Sequence, residues 1–254
     1  MVAVTRGGGT PGETTTEPDG TTVCLLGGPY VRVRGQARAV PECAGRVLAH
    51  VALHGGRVSR RRVAGLLWPD ASDDRAAGNL RSALWRLRTA AGAPVLEADK
   101  SAVRLAPDVT TDVDRVQGMA RRLGTGQVEP SDLELGWWHP EVVDLLPGWD
   151  EEWVVLERER LRQQALHALE RQSCLLVSLG RHGDAIEAAL LAVEADPLRE
   201  SAHRRLVEAH LAEGNVDEAR RQVTVFGEAL YRELGVRPST ALAELLPLPV
   251  RRAW

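Results

Sequence analysis

The 254-residue sequence predicts a mostly α protein with a small β component, built as two domains. Three observations carry this prediction. Three helix-length apolar stripes follow one another between about residues 41 and 92, with short alternating runs on either side. A self-similarity of 34 residues, from Gly180 to Gly214, marks the later part of the chain as an all-α helical repeat. The charge also separates: Thr21–Thr110 holds fourteen Lys+Arg against seven Asp+Glu, net +7, and Thr111–Trp254 holds seventeen against twenty-five, net −8. A basic module joined to an acidic one fits a nucleic-acid-binding part carrying a protein-binding part.

The elements follow in order. Residues 1–20 include VTRGGGTPGETTTEPDG, too rich in Gly, Thr and Pro to bury a core, and are expected to be a disordered tail. TVCLL, YVRVR and ARAV alternate like short strands, separated by Gly27-Gly28-Pro29 and Gly35-Gln36. Val47, Leu48, Val51 and Leu53 give a first helix from about Pro41 to His54, stopped by Gly55-Gly56. Ser59 is placed to cap a second helix whose apolar face is Val63, Leu66, Leu67 and Trp68, ended by Pro69. Asp73 or Asp74 is placed to cap a third helix running to Gly92. PVLEADKSAVRLAPD then reads as strands Val95–Glu97 and Ala102–Leu105 around a turn at Asp99–Ser101. Small sheet, three helices and hairpin, over residues 21–110, make a winged helix-turn-helix.

The third helix carries the sharpest signal. Leu80, Leu84, Leu87 and Ala91 share one face, and at roughly 100° per residue Arg75, Gly78, Ser82, Arg86 and Thr89 lie near the opposite one. Asn79, Arg81 and Arg88 lie on the flanks, and no acid occurs between Arg75 and Gly92. A solvated helix ordinarily mixes acids with bases, because i,i+4 pairs support it. A helix offering arginine forks, a hydroxyl and a carboxamide suits a polyanion, since Arg forks onto guanine, Asn onto adenine, and either binds phosphate. Arg60, Arg61 and Arg62 open the second helix, where either a DNA backbone or plain solvent can meet them; Lys100, the single lysine, sits on the hairpin turn. Trp85 lies about 140° from the centre of the apolar stripe. Its position allows a thymine methyl and sugar edge or packing against the wing; a resemblance to winged-helix activators adds a polymerase-facing role. Asp70, Asp73 and Asp74 lie in the loop before the third helix, where they can serve helix capping; in the winged-helix activators that this pattern resembles, the same loop lies beside RNA polymerase.

These residues support a resemblance. From about Thr22 to Asp114 the sequence resembles the winged-helix DNA-binding domain of response-regulator-type proteins, in the form found in the Streptomyces antibiotic regulatory protein (SARP) family. GRVSRRRVAGLLWPD and NLRSALWRLR carry it. The later runs LLPGWDEEWVVLERERLRQQALHALE, DPLRESAHRRLVEAHLAEGNVDEARR and ELGVRPS resemble that family's bacterial transcriptional activator domain. The sequence departs from the family at Trp85, where a small or polar residue is more usual. The resemblance implies a transcriptional activator that binds direct repeats in promoter DNA as a homodimer or side-by-side pair. It also implies recruitment of RNA polymerase holoenzyme through the sigma factor, to switch on an antibiotic or other secondary-metabolite gene cluster.

The second domain, residues 111–246, is expected to be all-α and tetratricopeptide-like, with 247–254 as a C-terminal tail. GRHGDAIEAAL and GNVDEARRQV keep the 34-residue offset, as do Ala185 and Ala219. Helices from Asp112 to Leu123 and Asp150 to Ser173 complete the stack. Such stacks bind proteins or oligomerise. Trp137, Trp138, Trp149 and Trp153 cluster at its entry, either as core and interdomain packing or as a ligand cage.

No catalytic motif is present: no phosphate loop, no HExxH, no CxxC and no nucleophile elbow, so no enzyme, metal or cofactor is implied. Cys24, Cys43 and Cys174 lack metal spacing and read as buried thiols of a cytoplasmic protein. No apolar run approaches the roughly 18 residues of a membrane span. Two other functions fit the same pattern: a helical-repeat adaptor with the winged helix as a protein contact, and a ligand-gated repressor with a Trp-lined pocket.

Overall fold

In the computed structural model, which describes residues 20–136, 138 and 144–246, the chain divides into two compact units. The first contains residues 20–23 and 30–110; the second contains Cys24–Pro29 and everything described from Thr111 onward. The expected tails (Gly20 apart) and Trp137 lie outside the described residues.

The first unit is a winged helix. Strands β1 (Thr21–Cys24), β2 (Tyr30–Val33) and β3 (Gln36–Ala39) lead into α1 (Glu42–His54). There follow β4 (Val58–Ser59), α2 (Arg60–Leu67), α3 (Asp73–Ala91), β5 (Leu96–Ala98), β6 (Ala102–Leu105) and β7 (Val109–Thr111). The four-stranded sheet has the order β3-β2-β1-β7, and the wing is a three-stranded sheet of order β4-β6-β5. Two features were not expected from the sequence: the two-residue β4, pairing Val58 with Val103, and β7. Ser59 is at the α2 N-cap, but its side chain makes no capping bond; its backbone pairs with Ala102 instead.

The core of this unit forms where the apolar stripes meet. Val47, Leu48 and Val51 of α1, Val63 and Leu67 of α2, and Leu80, Ala83 and Leu87 of α3 are buried. Each large aliphatic side chain so buried contributes roughly 1.5–3 kcal/mol. Leu66 departs from the sequence reading: at 43% exposure it sits beside the stripe rather than in it. The α3 N-cap position is Ser72, so Asp73 and Asp74 fall in the first helical turn. There their charge complements the positive end of the helix dipole instead of capping it. Gly92 ends α3 at φ 64, a left-handed conformation that glycine adopts without penalty.

The second unit is helical: α4 (Asp112–Thr125), a 3-10 turn at Pro130–Leu133, α5 (Glu152–Ser178), α6 (His182–Ala195), α7 (Glu200–Glu213), α8 (Val216–Leu234) and the short α9 (Thr240–Ala243). Helices α6 and α8 start at His182 and Val216, the same 34-residue offset that separates Gly180 from Gly214. Close packing within each pair follows from small residues: Ala185, Ala188, Ala189 and Ala192 of α6 are all fully buried. A second cluster gathers Val207, Ala219, Phe226, Leu230 and Leu242.

Polar clamps hold this unit together. Arg122 forks onto Asp132, whose carboxylate is 2% exposed and held below its ordinary range, first by the Arg122 hydrogen bond. Asp112 starts α4 and accepts from the backbone N–H groups of Leu25 and Leu26 at 2.9–3.0 Å; burial pushes its carboxyl up. Trp138 is buried and donates its indole N–H to Gln172 at 3.1 Å. That indole therefore belongs to the core, and Trp149 and Trp153 are half-buried. The cysteine reading needs correction. Only Cys24 is buried; Cys43 is half-buried and Cys174 is exposed, all three as free thiols.

Candidate nucleic-acid interface

The outward surface of α3 follows from its sequence period. Burying Ala76, Leu80, Ala83, Leu87 and Ala91 turns Arg75, Arg81, Ser82, Trp85, Arg86 and Arg88 to solvent, with Asn79 half-buried at the edge. Among the described residues, Arg75, Arg81 and Arg88 make no ion pair or side-chain hydrogen bond. Ser82 donates its hydroxyl proton to the Gly78 carbonyl at 3.1 Å, leaving its oxygen to accept. Arg86 is tethered: its Nη1 donates to Sγ of Cys43 on α1 at 3.4 Å.

The three arginines that open α2 are not equivalent. Arg60 braces the wing through its backbone N–H to the Ser101 carbonyl at 2.9 Å and its guanidinium to the Asp99 carbonyl at 3.4 Å. Arg61 approaches Asp73 at 3.5 Å, but both side chains are almost wholly exposed, so the pair is weak. Among the described residues, Arg62 is exposed and has no ion pair.

The wing consumes most of its own charge. Glu97 of β5 and Arg104 of β6 face each other in register and pair at 2.6 Å. Asp99 accepts from the Ser101 and Ala102 N–H groups, at 2.7 and 2.9 Å, and from Arg57 at 2.5 Å. Those backbone N–H groups, Ser101 first, hold its carboxyl well below the usual range. The resulting Asx turn fixes the tip, where Lys100 is exposed and, among the described residues, unpaired. The turn at Asp99–Ser101 was legible in the sequence, but Arg57 and Asp99 were not among the candidate site residues, because their pairing joins positions 42 apart.

A cleft of about 650 Å³ separates α3 from the wing, with Trp85 and Arg88 on one wall and Arg57 and Arg104 on the other. Trp85 lines it yet stays 67% exposed, so it lies beside the wing without being buried by it. Arg38 of β3 has no signal in the sequence. Its Nη1 stands 2.7 Å from where a Cβ on Gly92 would lie, placing a cation at the C-terminal end of α3. Asp70, Asp73 and Asp74 are exposed, and none of them occupies the α3 N-cap.

Among the described residues, no group of three or more His, Cys, Asp or Glu is placed to hold a metal ion. No described helix is long and apolar enough to cross a membrane.

Residues 132–246 match the bacterial transcriptional activator domain family. Among solved structures, the chain is similar to Mycobacterium tuberculosis EmbR, determined in complex with a low-affinity phosphopeptide. The identity is 19% and the TM-score 0.65, over 90% of this chain and 66% of that one, so the likeness is one of fold. No curated protein matches the sequence.

Proposed function

We propose that this chain is a transcriptional regulator of the SARP type, a sequence-specific activator that grips promoter DNA through α3; the match to the activator-domain family and the shared fold support the reading. The observation that carries the reading is the outer face of α3: four exposed arginines, an available hydroxyl oxygen and a half-buried carboxamide, with no acid between Arg75 and Gly92. In this reading Arg75, Asn79, Arg81, Ser82, Trp85, Arg86 and Arg88 address base edges and adjoining phosphates in the major groove. Arg60, Arg61 and Arg62 hold the backbone, and Lys100 reaches it from the wing tip. The mechanism is binding and positioning, with no bond chemistry.

Asp70, Asp73 and Asp74 are the polymerase-facing candidates, since they are exposed and not spent on capping. Two protomers side by side on direct repeats would then present two such loops to RNA polymerase holoenzyme and its sigma factor. The regulated genes are proposed to be a secondary-metabolite cluster, and the site of action the cytoplasm. The test is a footprint of the full chain on the upstream regions of neighbouring genes, followed by transcription with purified holoenzyme. Protected direct repeats and protein-dependent transcripts are expected. Protection without sequence preference, or bound DNA with no rise in transcript, would overturn the reading.

A further inference from the structure

The helical unit carries a net negative charge, yet one of its surfaces is cationic. A cleft of about 730 Å³ lies between α4, α5 and α7. Its floor is apolar, formed by Leu123 and Leu175; its walls carry Gln164, His167 and Arg171 from α5 and Arg205 from α7. Arg171 and His167 are exposed and, among the described residues, have no ion pair or hydrogen-bond partner. The cleft's acid, Glu170, is already neutralised by Arg199 at 2.6 Å and accepts from Ser201. Arg205 is half-occupied by Glu208 at 2.6 Å.

A second observation is independent of charge. The carboxamide oxygen of Gln164 is buried at this wall and meets no protein donor. A buried acceptor left unmatched is costly, and such atoms are uncommon in folded proteins. A ligand that brings an N–H to Gln164 and a carboxylate to Arg171 satisfies both at once. An extended polypeptide does this with its own backbone amide and a neighbouring Asp or Glu, and its apolar side chains cover the floor.

We propose that this cleft is a docking groove for an extended, acidic peptide segment of a partner protein, anchored by Arg171, His167 and Arg205 and registered by Gln164. The size suits a short stretch of chain, and stacks of paired helices present surfaces that bind such segments. The inference does not depend on DNA binding by α3.

The experiment uses the full chain and a fluorescein-labelled peptide of about twelve residues alternating Leu with Glu, against the same peptide with Lys or Gln in place of Glu. Saturable binding of the Glu peptide is expected, weakening with salt, and at least tenfold tighter than that of the Lys and Gln peptides. Arg171→Glu and His167→Glu each reduce it at least tenfold with unchanged melting temperature. Gln164→Leu separates ligand recognition from structure: it weakens the peptide while leaving the fold as stable or more so. The exposed Cys174 thiol on the rim gives a direct footprint, its maleimide labelling slowing when the Glu peptide is bound. Equal binding of the three peptides, no binding of the Glu peptide, or indifference to Arg171→Glu would overturn the proposal. Protection of Cys174 by a DNA oligonucleotide in place of the peptide would also overturn it, by assigning the cleft to phosphate.

Discussion

Arg86 of α3 and Cys43 of α1 form a guanidinium–thiol contact of 3.4 Å on the protein surface. The contact steers one arginine of the proposed recognition face by a residue 43 positions away in sequence. Arg86 contributes nothing to the core, which is closed beneath it by Leu80, Ala83 and Leu87.

Arg86→Ala should therefore leave the melting temperature unchanged and weaken specific binding. Removing one bidentate interaction with a base costs about 1–3 kcal/mol of discrimination. A competition assay between a mapped operator and a scrambled sequence distinguishes the two possible roles: weakening at the operator alone means a base, equal weakening at both means a phosphate. Unchanged affinity on both would remove Arg86 from the interface. Cys43→Ala, which frees the guanidinium, should change operator affinity by no more than about 0.5 kcal/mol, as for a surface substitution.

Arg60, Arg61 and Arg62 make a second test. Each cation withdrawn from a phosphate lowers the slope of log affinity against log salt by about 0.9. Replacing all three with Gln should reduce that slope by about 1–2, most of it from Arg62, which is exposed and, among the described residues, holds no ion pair. Arg60→Gln alone should act differently, loosening the wing that it braces through the Asp99 carbonyl. A salt slope identical to that of the parent chain would show that the start of α2 faces solvent on the complex.

Trp85 can be followed by its own fluorescence. At 67% exposure it should emit as a solvated indole in the free protein. The chain has seven tryptophans, so the signal is read as the difference between the parent and Trp85→Phe. Operator DNA should quench or blue-shift that difference if the indole meets a sugar edge or thymine methyl. A response to polymerase but not to DNA would place it on the polymerase side, and no response to either would leave it as a rim of the wing cleft.

Much of this architecture was legible because periodicity and chain punctuation agree. The first helix ends at His54 because Gly55 and Gly56 follow it, and the third ends at Ala91 because Gly92 takes φ 64. What escaped is either too short to show a period or set by distant partners. Strands β4 and β7 are two and three residues long, below the length at which alternation is visible. Leu66 belongs to an apolar run, but its angle puts it at the stripe's edge, and only packing decides such positions. The runs that carried the family resemblance turn out to contain long-range clamps. Arg158 of ERERLR donates to the carbonyls of Leu145, Leu146 and Trp149 in the LLPGW loop, at 2.6–3.0 Å. Arg199 of DPLRESAH reaches Glu170 and Gln163, and Glu200 holds Ser239 of ELGVRPS. No local rule shows those pairings. For the same reason the tether on Arg86 and the cation over Gly92 were invisible in the sequence.

The last prediction concerns pH. His50 lies in the middle of α1, 1% exposed, with the His54 ring 4.1 Å away. Burial first, then the charges of His54 and Arg62, lower its pKa from 6.5 to about 4. The unfolded chain therefore takes up this proton near pH 6.5, while the folded chain refuses it until about pH 4. Between those values the unfolded state binds more protons, so stability must fall as the pH falls, by up to about 1.4 kcal/mol per pH unit. The full loss is on the order of 3 kcal/mol, complete by about pH 4 and absent above about pH 7. His203 acts in the same direction in the helical unit, where burial lowers its pKa as it stacks on Phe226. The two are separated by substitution. In urea melts from pH 7.5 to 4, His50→Leu should flatten the slope assigned to the winged helix and become the more stable form below pH 6. If the parent and His50→Leu lose stability in parallel across that range, His50 takes up its proton in the folded state as readily as in the unfolded one, and the winged-helix core is not the acid-labile part of the molecule.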